Sequence, residues 1–126
     1  MSGRSFGRDL RLTEAADYRQ VFNSPDYRIS TGNVLLLARN NHLTLARLGL
    51  AVAKKNVPLA VTRNQIKRLV REAFRINQQI LAGLDIVFLC RSGLIRQGRS
   101  EQQQQISAAF LKLGHKYTLV PNGVVE

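Results

Sequence analysis

"TRNQIKRLVREAFR", residues 62–75, packs five Lys/Arg and one Glu into fourteen positions, yet also carries Ile66, Leu69, Val70, Ala73 and Phe74. These apolar residues fall at i, i+3, i+4, i+7 and i+8, the spacing of an amphipathic helix with one buried stripe. At 100° per residue from Arg63 the stripe centres near ~285°, while Lys67, Arg71, Asn64, Arg75 and Arg68 spread from ~40° to ~140° on the opposite arc. Like charges at i, i+4, such as Lys67/Arg71 and Arg71/Arg75, repel mildly. Glu72 is the only acid in the segment that can relieve them. Such a helix reserves one face for a core and turns the other toward something negative.

The whole chain carries the same bias. It holds 19 Lys/Arg against 8 Asp/Glu, a formal charge of +11, and residues 27–71 contain nine Lys/Arg and no acid. A field of this kind concerns partners rather than fold, and its usual partner is a polyanion, either nucleic acid or an anionic membrane. No apolar run reaches the ~18 to 20 residues of a membrane span, and "VLLLA" and "IVFLC" have strand length. "MSGRSFGRDLRL" lacks the apolar region and cleavage site of a secretory peptide. Cys90 is the only cysteine among 126 residues, so no internal disulfide is available and the expected compartment is the cytoplasm. A chain of this length buries a core without metals or disulfides.

Working outward, residues 1–12 read as a flexible basic arm, 13–117 as one α+β domain and 118–126 as a flexible tail. Thr13 is the expected N-cap of a first helix, with Glu14 and Asp17 in its first turn, Ala15, Tyr18, Val21 and Phe22 at helical spacing, and Pro25 as its end. After a short strand near residues 27–30, "GNVLLLAR" and "LTLARLGLAV" read as a hairpin turning at Asn40-Asn41. In the second of these strands Ala46, Leu48, Leu50 and Val52 alternate as a core face, opposite Arg47, Gly49, Ala51 and Ala53. "KKNVPLAVTRN" leads into the basic helix, which ends near Asn77. "GLDIVFLCR" is a continuous apolar strand of the kind covered on both sides. Ser100 caps a last helix over 101–116, with Ile106, Ala109, Phe110 and Leu113 as its stripe, the Gln run as a solvated face and Gly114 as its stop. Helix-strand-strand-strand-helix-strand-helix is the pattern of a two-layer α-β sandwich, not of a βαβ repeat.

Catalytic chemistry is hard to find. The acids are scattered, His42 and His115 lie far apart, Cys90 at a strand end reads as a small buried hydrophobe, and neither a phosphate-cradling Gly-rich loop nor zinc-ligand spacing occurs. What remains is a binding surface. Arg39, Arg96 and Arg99 read as ordinary solvated charges. Lys54, Lys55, Arg63, Lys67, Arg68 and Arg71 converge, because the lysines leave a strand just before the turn that feeds the basic helix. Arg63 and Asn64 stand at that helix's start, where free N–H groups favour phosphate.

At "AKKNVPLAVTRNQIKRLVREAFR" the chain closely resembles the protein subunit of bacterial ribonuclease P, and the likeness extends through "DYRQVF", "RLGLAVAKK" and "DIVFLCR". The resemblance implies a holoenzyme in which a large catalytic RNA, holding the Mg²⁺, removes the 5′ leader of precursor tRNA. The small protein would then bind that RNA through Lys54, Lys55, Arg63, Asn64, Lys67, Arg68 and Arg71. It would contact the leader through Tyr18, Phe22, Leu37 and Arg47, in a cleft between the first helix and the sheet. It further implies a left-handed crossover into the basic helix, no metal or cofactor held by the protein itself, no membrane and no obligate protein partner. The family motif Arg-Asn-Arg, then Ile-Lys-Arg, is matched at Arg63, Asn64, Ile66, Lys67 and Arg68, with Gln65 in place of the second arginine. Leu37 stands where the family carries a sheet aromatic. Rival readings are another basic RNA-docking module such as a ribosomal protein, a self-sufficient metal-dependent nuclease, and a helix-turn-helix DNA binder.

Overall fold

The computed structural model describes residues 11–119, in the order α1 (Ala15–Asn23), β1 (Tyr27–Thr31), β2 (Val34–Asn40), β3 (Arg47–Ala51), α2 (Ala60–Ile76), β4 (Leu84–Cys90), a 3-10 helix (Ser92–Arg96) and α3 (Arg99–Leu119). This is the expected α+β order. The expected basic arm falls mainly on residues 1–10 and most of the expected tail on 120–126, outside the described residues. Arg11 and Leu12, placed in that arm by sequence, belong to the fold: Arg11 bridges Leu48, and Leu12 is buried with its N–H donating to the Leu48 carbonyl at 3.0 Å.

The four strands lie in the order β1-β2-β4-β3. The hairpin expected between β2 and β3 does not form; β2 turns instead with β1, through Gly32 at φ +59°, and β4 inserts between β2 and β3. The reason lies in β4 itself, the most apolar strand, buried at every position but Leu89. A strand covered on both faces gains most at the centre of a sheet. Asn40 and Asn41 do make a turn, their side-chain oxygens accepting the N–H groups of His42 and Leu43. That turn crosses the start of β4, where Asn41 N–H donates to Gly83 and Gly83 N–H to Leu45. β3 therefore runs parallel to β4, an arrangement that needs a crossover, supplied by α2.

One face of the sheet packs against α2 and α3. Ile29, Leu36, Ala38, Leu48, Ile86 and Phe88 meet Ile66, Val70, Phe74, Ile106, Phe110 and Leu113 there, so the helical stripes read from the sequence are the buried ones. The opposite face carries a smaller cluster of Leu12, Val21, Leu37 and Val87 under α1. Boundaries of α1 and α3 differ from expectation. α1 is preceded by Glu14 rather than Thr13. In α3 Ser100 lies inside the helix, and Gly98 opens it, its N–H donating to the Glu101 carboxylate. Gly114 does not stop α3: a Cβ there would strike the Ile80 side chain, and the helix continues so that the Tyr117 hydroxyl reaches the Ala82 carbonyl at 2.7 Å. Nor is the Gln run all solvated, since Gln102 is buried and donates to the carbonyls of Leu94 and Gln97, while Gln105 accepts the Asn33 N–H.

Candidate nucleic-acid interface

Helix α2 begins three residues earlier than Arg63, with Leu59 in the cap position and offering no side-chain acceptor. The Arg63 N–H is already bonded to the Leu59 carbonyl, so the amides left open at the helix start belong to residues 60–62 rather than to Arg63 and Asn64. The Arg63 side chain is also tied inward: Nη1 donates to the carbonyls of Val57 and Pro58, both at 2.9 Å. It thereby clamps the helix to the turn that carries Lys54 and Lys55. That turn is pinned from the other side by Asn56, whose Nδ2 donates to the Cys90 carbonyl. Lys54, Lys55, Asn64, Arg68 and Arg71 are exposed and Lys67 is half-buried, so the turn and the outer arc of α2 that follows it both present cations at the surface, a basic margin along this part of the chain. Gln65 is exposed. Arg75 belongs to that arc by angle, but it donates to Glu72 at 2.6 Å. The hydrogen bond lowers the Glu72 pKa and raises that of Arg75.

The other predicted group lies on the α1 side of the sheet. Leu37 pairs with Val87 and is buried in the small cluster; Arg47 pairs with Asp85 on the same face. Tyr18 is half-buried over Gly49, and its hydroxyl accepts the Leu50 N–H at 3.2 Å. A phenol hydroxyl is at ease near water, but that of Tyr18 is held by the sheet, and it is Phe22, one turn on, that stays open at 42% exposure. Leu35, Leu89 and Ala51, all half-buried, continue this face beyond Leu37.

Arg47 is the most constrained cation here. Its Nε and Nη2 bond the two oxygens of Asp85 at 2.8 and 2.7 Å, and Nη1 stands 3.7 Å from Asp17 on α1. The hydrogen bond to Asp85 raises the Arg47 pKa, burial opposes this, and the Asp85 and Asp17 charges add to the rise. Sequence reasoning missed Asp85 and Asp17 as partners of Arg47. A carboxylate opening a buried apolar strand was a signal that something cationic must face it.

Cys90 is buried, and burial pushes its thiol up to about 11, which suits packing rather than nucleophilic chemistry. Among the described residues no three His, Cys, Asp or Glu side chains gather into a metal-binding group, and no helix is long and apolar enough to cross a membrane.

A mixed sheet with a basic crossover helix on one side and a half-open apolar face beside α1 on the other defines a small, strongly basic α+β protein. Comparison with known proteins narrows this class. The sequence pattern of the Ribonuclease P family matches residues 6–114. The ribonuclease P protein component of Pseudomonas aeruginosa is 49% identical over 113 residues, 90% of this chain and 84% of that one. That of Azotobacter vinelandii is 46% identical, covering 90% and 87%. Among solved structures, the RNase P protein of Staphylococcus aureus superposes with a TM-score of 0.74 at 26% identity, over 82% of this chain and 94% of that one. That of Thermotoga maritima gives 0.69 at 28%, over 85% and 96%. The chain belongs to the ribonuclease P protein family and is thus the protein part of an endoribonuclease.

Proposed function

We propose that this chain binds the catalytic RNA of ribonuclease P through the margin formed by Lys54, Lys55, Asn64, Lys67, Arg68 and Arg71. In this reading Arg63 acts mainly by clamping that margin, and the face beside α1 receives the 5′ leader of precursor tRNA. Hydrolysis of the bond that frees the mature 5′ end belongs to the RNA, and the protein contributes by binding and orientation. Mg²⁺ is likewise assigned to the RNA, because Asp17, Asp85 and Glu72 each face an arginine and are not arranged as a ligand set. The cytoplasm is the compartment this role requires.

The observation that carries the leader reading is Phe22, an aromatic ring left 42% exposed on the helix bordering the half-buried strip of Leu35, Leu89 and Ala51. Bases of any identity stack on such rings, each worth ~1 to 3 kcal/mol. Tyr18 acts as the support of this wall, Leu37 as its buried floor, and Arg47 as the ion pair beneath its end. The test is a reconstituted holoenzyme carrying Phe22→Leu, which keeps much of the apolar volume and removes the flat face. Affinity for precursor tRNA falls while affinity for mature tRNA holds; an unchanged ratio of the two sinks the leader role. If the protein does not bind the catalytic RNA more tightly than an unrelated RNA of equal length, a general RNA-docking module of ribosomal-protein type is the better description.

A further inference from the structure

Between the start of α2 and the 3-10 helix after β4 lies a hollow of about 260 Å³, lined by Val57, Pro58, Leu59, Thr62 and Ile95. Its floor is sealed, since Val57 is fully buried, but Leu59 at its mouth is 65% exposed and Ile95 37%. The core does not need these side chains, and apolar groups gathered at a concave surface mark a binding place. The chain segments that form the hollow carry cations beside it. Lys54 and Lys55 precede the Val57 wall, Arg63 is bonded to the Val57 and Pro58 carbonyls, and Arg96 follows Ile95. No acid occurs in residues 27–71 or 86–100. An apolar hollow flanked by these cations complements a ligand that joins a flat apolar group directly to negative charge. An unpaired nucleotide has that chemistry: its base fits the hollow and its phosphates meet the cations.

We propose that this hollow receives one unstacked base of the catalytic RNA, so that the basic margin supplies affinity and the hollow supplies register. The proposal rests on the reading that the catalytic RNA is the partner, and it adds an apolar contact to a surface otherwise described by charge.

The experiment measures dissociation constants for the ribonuclease P RNA transcript across a salt series, for the full chain, for Leu59→Ala/Ile95→Ala and for Lys67→Ala. Charge contacts release counterions and set the log-log slope against salt, whereas an apolar contact does not. The double variant is expected to bind ~5- to ~100-fold more weakly at every salt concentration with an unchanged slope, and Lys67→Ala to flatten the slope. Ultraviolet cross-linking of the unmodified complex is expected to leave a nucleotide adduct on residues 57–62 or 92–96. Undiminished affinity in the double variant, a loss that appears in the slope, or adducts confined to other segments overturns the hollow as a base site. Undiminished affinity together with a changed sedimentation coefficient of the free protein assigns it to a second copy of the chain instead. Failure of the unmodified chain to prefer this transcript over an unrelated RNA defeats the functional reading itself, an outcome separate from the others.

Discussion

Arg47 grips Asp85 through two parallel hydrogen bonds, Nε to Oδ1 at 2.8 Å and Nη2 to Oδ2 at 2.7 Å, across the parallel pairing of β3 with β4. The same guanidinium approaches Asp17, so one side chain joins the edge strand, the central strand and α1. Asn41 Nδ2 also donates to Asp85, which satisfies the carboxylate further.

Loss of this fork lowers stability. Asp85→Ala leaves Arg47 partly buried with only Asp17 near it, and costs ~1 to 3 kcal/mol. Arg47→Lys keeps the charge but cannot make both bonds at once, and falls between the two. Calorimetric unfolding of the purified chain checks the order; an Arg47→Lys variant as stable as the unmodified protein would show that only charge matters.

Gly49 lacks a side chain because Tyr18 occupies the space. A Cβ at residue 49 would lie 2.7 to 2.8 Å from the Tyr18 ring and hydroxyl, so Gly49→Ala displaces the ring and breaks its bond with the Leu50 N–H. The expected cost is ~1 to 3 kcal/mol. In a double-mutant cycle with Tyr18→Ala the penalty shrinks, because the collision is gone. Additive penalties would place the strain elsewhere.

Cations on α2 differ in consequence. Lys67→Glu and Arg68→Glu weaken assembly with the catalytic RNA severalfold or more, and each reduces the salt slope by roughly one contact. Arg75→Ala does little, since Arg75 is engaged by Glu72, and Arg99→Glu at the start of α3 does little because it stands off the α2 face. Filter binding at two salt concentrations decides it, and equal losses at all four positions would mean diffuse attraction without a docking face.

The Cys90 thiol gives the fold an alkaline limit. Its folded pKa is about 11 against an ordinary value of 9.0, so between those values the unfolded chain has released a proton that the folded chain retains. Stability from this group is fully present below pH ~9 and is lost as pH rises toward ~11. Cys90→Ala flattens that part of the pH-stability profile, and in the unmodified protein iodoacetamide labels Cys90 at pH 7.5 only after unfolding. Rapid labelling of the native protein would contradict the burial.

Hydrophobic period and charge placement, legible in the chain itself, determined the helices, the strands, the buried stripe of α2 and the exposed arc opposite it, because both are local properties of a regular backbone. The residues of the basic margin were visible for the same reason. Pairing was another matter. Nothing within residues 32–53 reveals that β4, more than thirty residues further on, will separate β2 from β3, since that depends on which strand gains most from burial on both faces. The same non-local contest made Tyr18 a support and Phe22 the open ring, tied Arg63 to the turn before its helix, carried α3 past Gly114 to reach Ala82, and closed Arg47 onto Asp85. Local spacing tells which side of an element faces inward; only the assembled sheet and helices decide what waits there, because each partner arrives from a distant part of the chain.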